Sequence, residues 1–129
     1  MPSRAVILDT NFLLVPFQFK INIIGELEYL IETNHHYVIS SKTIGELKRI
    51  AKNIGKDGMA AKLGLKMIDN SKVKIEIIEN NLPVDDWILK YTKKTNAIVC
   101  TNDTKLRKRL RQQKAKVIAM KSKSRLGFV

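Results

Sequence analysis

Apolar residues along the chain fall into two recurring patterns. Dense runs of strand length occur at Ala5 to Leu8, Tyr37 to Ser40, Val73 to Ile78, Ala97 to Cys100 and Lys116 to Met120, with β-branched residues prominent. Between them the apolar positions spread to helical spacing. Ile21, Ile24, Leu27 and Leu30/Ile31 predict one helix, with Glu26, Glu28 and Glu32 mostly opposite. Ile44, Leu47 and Ile50/Ala51 predict a second, starting near Ser41. Met59 to Asp69 reads as a third, with Ala60, Leu63, Met67 and Ile68 inward. A fourth opens at Asp85-Asp86 and runs through Ile88, Leu89 and Thr92. A fifth follows Thr101-Asn102-Asp103, basic except for Leu106 and Leu110.

Strands that alternate with helices, with no tight hairpin signal between them, predict parallel strands joined by right-handed crossovers. The expected fold is α/β, a three-layer α/β/α sandwich on a five-stranded, mostly parallel sheet. Residues 1–129 form a single domain with a basic C-terminal tail from about 121. Pro16-Phe17-Gln18-Phe19 reads as a short connection, Asn34-His35-His36 as a loop without a metal role, and Gly55-Lys56-Asp57-Gly58 as a helix break. The Val73 to Ile78 strand alternates apolar with polar at first, which suits a place near the sheet edge.

Composition adds a partner class. Of 129 residues 44% are hydrophobic, enough for a packed core. No apolar run approaches the ~20 residues of a membrane span, and the N-terminus has no apolar leader. The single Cys100 lies in an apolar run and reads as a buried, inert thiol, which fits a reducing cytoplasm. The net charge of +12 is unevenly spread. From Thr101 onward ten Lys or Arg stand against one acid, Asp103, so this segment carries +9. A basic surface of that density suits a polyanion, above all RNA. Lys105, Arg107, Lys108, Arg109 and Arg111 are the expected phosphate contacts.

The few acids occupy particular places. Asp9 ends the first run, Glu46 lies early in the helix after the second, Asp85 and Asp86 open the fourth helix, and Asp103 opens the fifth. In a parallel sheet the strand-to-helix joints share one edge, where ligand crevices form. Each acid has a structural alternative: Thr43-x-x-Glu46 matches a capping box, and Asp85 or Asp103 could cap a helix. Taken together, several carboxylates at one edge repel one another, and a hard divalent cation such as Mg²⁺ or Mn²⁺ is the natural compensation. An acidic cup beside a basic surface points to phosphodiester chemistry.

Four motifs then resemble the PIN domain, a family of small metal-dependent ribonucleases. They are Val6-Ile7-Leu8-Asp9-Thr10-Asn11-Phe12, Thr43-Ile44-Gly45-Glu46-Leu47, Val84-Asp85-Asp86-Trp87 and Ile98-Val99-Cys100-Thr101-Asn102-Asp103. In the last two they are similar to the PIN domains of small-subunit rRNA-processing endonucleases, with VapC-type toxins the other related group. The resemblance implies a metal-dependent endoribonuclease in which Asp9, Glu46, Asp85 and Asp103 hold the metal. Asp86 is the alternative third acid. Asp85 places Ile88, Leu89 and Thr92 on a packing face, whereas Asp86 would place Lys90 and Lys93 there. Asn11, Thr101 and Asp86 are expected to orient the acids or a bound water. The resemblance admits rRNA or tRNA as substrate, and an antitoxin or a ribosome-assembly protein as partner. A non-cleaving RNA-binding module is a further alternative. A homodimer could form through apolar residues at Phe12, Phe17, Phe19, Leu126, Phe128 and Val129.

Overall fold

The computed structural model describes residues 2–129. Six strands form one sheet: β1 (Arg4–Leu8), β2 (His35–Ser40), β3 (Ile75–Ile78), β4 (Ile98–Cys100), β5 (Lys116–Ser122) and β6 (Arg125–Phe128). Their order is β3-β2-β1-β4-β5-β6, parallel throughout except that β6 runs antiparallel to β5. The helices are α1 (Val15–Phe19), α2 (Ile23–Leu30), α3 (Ser41–Ala51), α4 (Lys56–Asn70), α5 (Val84–Thr95) and α6 (Thr104–Gln112).

The three layers follow from side-chain alternation on β1. Val6 and Leu8 point to one face and pack with Phe12, Leu13, Leu27, Leu47 and Ala61. Ala5 and Ile7 point to the other and pack with Trp87, Ile88, Leu106 and Leu110. Strands buried on both faces read as unbroken apolar runs, and β1 and β4 do. Helices α1 to α4 thus cover one face and α5 and α6 the other. The connection from β3 crosses the sheet to β4, so the winding reverses between β1 and β4. That reversal opens a crevice at the carboxyl ends of the two strands.

Several expectations need correction. The sheet has six strands, and residues 121–129 are not a tail: β5 continues to Ser122 and turns at Lys123-Ser124 into β6. This turn lacks the Asn-Gly or Asp-Gly chemistry that marks a hairpin in sequence, and β6 buries only Leu126 and Gly127. Glu26 in α2 accepts from the Leu126 amide at 3.1 Å, which fixes the strand. His35 and His36 open β2 rather than lying in a loop, because their backbones pair with Arg4 and Ala5. Their rings are engaged: His35 Nε2 lies 2.6 Å from Glu28 Oε2, and His36 Nδ1 lies 2.8 Å from Ser3 Oγ. Residues 11–19 are a 3₁₀ turn (Asn11–Leu14) leading into α1. Helix α4 begins inside the glycine-rich break, and Leu63 faces solvent while Ala61 and Gly64 are buried. As expected, strand β3 forms one edge of the sheet and Cys100 is buried, its thiol pushed up by desolvation.

Candidate active site

Register between β1 and β4 builds the floor of the crevice. Leu8 is paired with Cys100, so the chain leaves the sheet at Asp9 and Thr101 side by side. Thr101 Oγ1 donates to Asp9 Oδ2 at 2.7 Å. Asn11 Nδ2 reaches the same oxygen at 3.1 Å, and the Thr10 amide donates to Oδ1 at 2.8 Å. Asn11 also accepts from the Asn102 amide at 3.0 Å, and Thr101 accepts from the Asp103 amide at 3.1 Å. The ends of β1 and β4 are therefore tied together around one buried carboxylate.

Helices bring the other acids. Helix α3 starts at the Ser40 cap, whose Oγ accepts from the Lys42 amide at 3.1 Å. Thr43 is therefore inside the helix, and the Thr43-x-x-Glu46 capping box does not form. Glu46 Oε1 instead accepts from Thr10 Oγ1. Asp103 does cap α6, accepting at Oδ1 from the Lys105 and Leu106 amides at 2.9 and 3.2 Å. Its Oδ2 accepts no hydrogen bond from the described residues. Asp85 sits in the first turn of α5, whose cap is Pro83, while Ile88, Leu89 and Thr92 are buried behind it.

One cavity of about 420 Å³ is lined by Asp9, Glu46, Asp85 and Asp103 together with Thr10 and Asn11. Asp86 is exposed and lies outside that lining, although its charge reaches Asp85. Thr10 and Arg49, also in the lining, were missed in the sequence. The hydroxyl of Thr10 reads there as turn chemistry, and Arg49 as one more basic surface residue. The usable signal for Arg49 was its place three residues after Glu46, on the same helical face.

The electrostatics show acids sharing a confined space. Asp9, 4% exposed, is raised from 3.8 to about 6, first by burial, with the charges of Asp85 and Glu46 adding to it. Hydrogen bonds from Thr101 and the Thr10 amide act in the opposite direction. The Asp85 carboxyl is also raised, by desolvation and then by Asp103 and Glu46, while Arg109 opposes the shift. No ion pair neutralises any of the four acids; the one formed among the described residues joins His35 and Glu28.

An acid whose folded pKa lies above its unfolded value destabilises the fold at high pH. That cost is full above about 6 and is relieved as the pH falls from about 6 toward 3.8. The metal-free protein is accordingly expected to gain on the order of 1 kcal/mol between pH 7 and pH 5, by chemical denaturation. The Asp9→Asn variant should lack most of that gain, and an equal gain in both proteins would assign the effect elsewhere.

The donor set suits a hard cation. All four groups offer carboxylate oxygen, with one oxygen each on Glu46 and Asp103 left without a protein donor. Among the described residues no three acids or imidazoles stand close enough to enclose a bare ion. Mg²⁺ and Mn²⁺ chemistry does not need such a cage, since Mg²⁺ keeps several waters and uses one or two carboxylates plus substrate phosphate.

The basic residues lie on α6. Lys105, Lys108, Arg109 and Arg111 are exposed, while Arg107 is half-buried with its Nε unpartnered. Leu106 and Leu110 seat the helix in the core, so the cations face outward. Arg109 is close enough to Asp85 to lower its pKa, which sets this helix beside the acidic cavity.

Comparison with known proteins shows the family. The model of the PIN-like domain matches residues 6–123. Ribonuclease VapC4 of Methanocaldococcus jannaschii is 35% identical over 122 residues, covering 92% of this chain and 91% of that protein. Ribonuclease VapC9 of Archaeoglobus fulgidus is 24% identical over 124 residues, covering 95% and 87%. Among solved structures, the PIN domain endonuclease Utp24 superposes with a TM-score of 0.72 at 21% identity, covering 95% of this chain and 90% of that one. A domain of a functionally unknown protein from Methanocaldococcus jannaschii superposes with a TM-score of 0.67 at 18% identity, covering 93% of each chain. Fold and family match together define a PIN-like domain. The chain belongs to that family.

Proposed function

We propose that this protein is a metal-dependent endoribonuclease that hydrolyses RNA phosphodiester bonds at the Asp9 cavity. The observation that carries the reading is the meeting of four carboxylates from four separate segments, none of them ion-paired, beside a helix rich in exposed cations. Asp9, Glu46, Asp85 and Asp103 would hold Mg²⁺ or Mn²⁺. When bound there, such an ion would supply Lewis-acid chemistry, making a water more acidic and offsetting charge on the phosphate. Asn11, Thr101 and the Thr10 amide keep Asp9 in one rotamer, and Thr10 aims Glu46 into the same space. Lys105, Lys108, Arg109 and Arg111, with Arg107 behind them, hold RNA phosphates without reading bases. Products carrying 5′-phosphate and 3′-hydroxyl ends accord with the family chemistry.

The 35% identity to ribonuclease VapC4 over nearly the whole chain favours a VapC-type toxin role, with an antitoxin partner and an rRNA or tRNA substrate. The likeness to Utp24 speaks to the fold, so rRNA processing with a ribosome-assembly partner is the second role, and a non-cleaving RNA-binding module the third. No helix among the described residues is long and apolar enough to cross a membrane, and the cytoplasm is the proposed compartment. A homodimer could use Phe19, Phe128 and Val129, which are partly exposed, whereas Phe12 and Leu126 belong to the core and Phe17 is half-buried.

The test is cleavage of structured and unstructured RNA with Mn²⁺ or Mg²⁺ and with EDTA. Cleavage should require the ion. Asp85→Asn should lower it by about 100-fold or more, since even outer partners of metal ligands cost 10–100-fold. Asp86→Asn should stay within about threefold, as expected for an exposed charge outside the cavity. Cleavage that survives EDTA, or a larger loss in Asp86→Asn than in Asp85→Asn, would sink the assignment.

A further inference from the structure

The lining of the cavity is not acidic alone. Leu14 from the 3₁₀ turn, Arg49 and Ile50 from α3, and Pro83 and Val84 at the start of α5 complete its lining. Glu46, Arg49 and Ile50 stand at i, i+3 and i+4, so one helical face presents a carboxylate, a cation and an apolar side chain in succession. Arg49 is exposed and forms neither an ion pair nor a side-chain hydrogen bond among the described residues, although four carboxylates line the same cavity. Its guanidinium is therefore not consumed in neutralising the acids. A guanidinium is built to grip phosphate oxygens through two parallel N–H donors. The adjoining apolar wall suits the ring of a base or the carbon face of a ribose.

We propose that the Arg49 side of the cavity is a nucleotide subsite. Arg49 holds the phosphate next to the one that is cut, and the nucleoside between them rests on Leu14, Ile50 and Pro83. This inference rests on the nuclease reading above. It goes beyond it by assigning Arg49 as a positioning residue that sets where along the strand the acids engage. The competing role for Arg49 is structural, a cation in the last turn of α3 that complements the helix dipole. That role would alter melting temperature but not RNA binding.

Two measurements separate these roles. The first is RNA affinity in the Asp9→Asn background, read by fluorescence anisotropy of a labelled oligoribonucleotide, so that cleavage plays no part. Arg49→Ala is expected to weaken binding about tenfold or more, the scale of a charge-assisted hydrogen bond. Arg49→Lys should recover part of the loss, and both variants should melt close to their parent. The second is cleavage of an oligoribonucleotide carrying a neutral methylphosphonate at the neighbouring phosphate. This change should raise KM in the wild type and have little further effect in Arg49→Ala, because each removes the same contact. Unchanged affinity in Arg49→Ala, or fully additive effects of the two changes, would overturn the subsite. If Asp9→Asn instead cleaves RNA like the wild type, the nuclease reading fails, an outcome distinct from a silent Arg49.

Discussion

Asp9→Asn is expected to lose RNA cleavage and gain stability at once. The two effects share one cause. A carboxylate at the carboxyl end of β1 is buried beside Asp85 and Glu46, which raises its pKa to about 6. Keeping it ionised at neutral pH costs up to about 3 kcal/mol of stability by linkage. The amide removes that charge but returns one mismatched hydrogen bond, because Asp9 Oδ2 accepts from both Thr101 and Asn11. Losing that bond costs about 1 kcal/mol. A net gain of about 1–2 kcal/mol is expected for the metal-free protein at pH 7.5, measured by chemical denaturation. Cleavage should fall by about 10²–10³-fold, the scale of losing one electrostatic partner of developing charge. Mn²⁺ should stabilise the wild type and leave the variant unmoved. A variant that is both less active and less stable would mean that Asp9 serves the fold, and equal Mn²⁺ stabilisation in both proteins would remove it from the metal site.

Two glycine-to-alanine changes inside helices are expected to act with opposite sign. In an open helical position alanine is better than glycine by about 0.8–1 kcal/mol. Gly45 in α3 is such a position, exposed and with nothing within 4 Å of an added Cβ. Gly45→Ala should raise stability by roughly that amount. Gly64 in α4 is not, because its Cβ would lie 2.6 Å from the Leu13 carbonyl oxygen. A backbone oxygen in a packed 3₁₀ turn cannot yield as a side-chain tip does, so overpacking of about 1–3 kcal/mol outweighs the propensity gain. The displaced turn carries Asn11 and Leu14, which line the cavity. Gly64→Ala should therefore melt lower and also cleave less. A stabilised Gly64→Ala would show that α4 and the turn are not in fixed contact.

Much of the candidate site was legible in the sequence because its acids sit where strands end and helices begin. Asp9 follows four apolar residues and precedes turn formers, and Asp103 stands at a helix cap. Such local signals survive without knowledge of the fold. Parallel topology alone then gathers the joints at one edge, so the convergence of Asp9, Glu46, Asp85 and Asp103 was an inference from alternation. The capping box that Thr43-x-x-Glu46 offered as an alternative does not form because the true cap, Ser40, lies three residues earlier and belongs to the end of β2. The hairpin of β5 and β6 was missed because a four-residue strand with a plain Lys-Ser turn carries almost no periodicity.

Sequence by itself determined the layered α/β class, the sheet edge at which the acids gather, and the basic helix beside it. These depend on periodicity, capping residues and charge, all of which act over a few neighbouring positions. Helical spacing already favoured Asp85 over Asp86 for the cavity, but only the tertiary structure decided that Thr10 binds Glu46 and that Arg49 shares the cavity with the acids. Those outcomes depend on strand register and on the rotation of each helix against the sheet. Both are fixed by packing between residues far apart in the chain, where local sequence patterns carry no information.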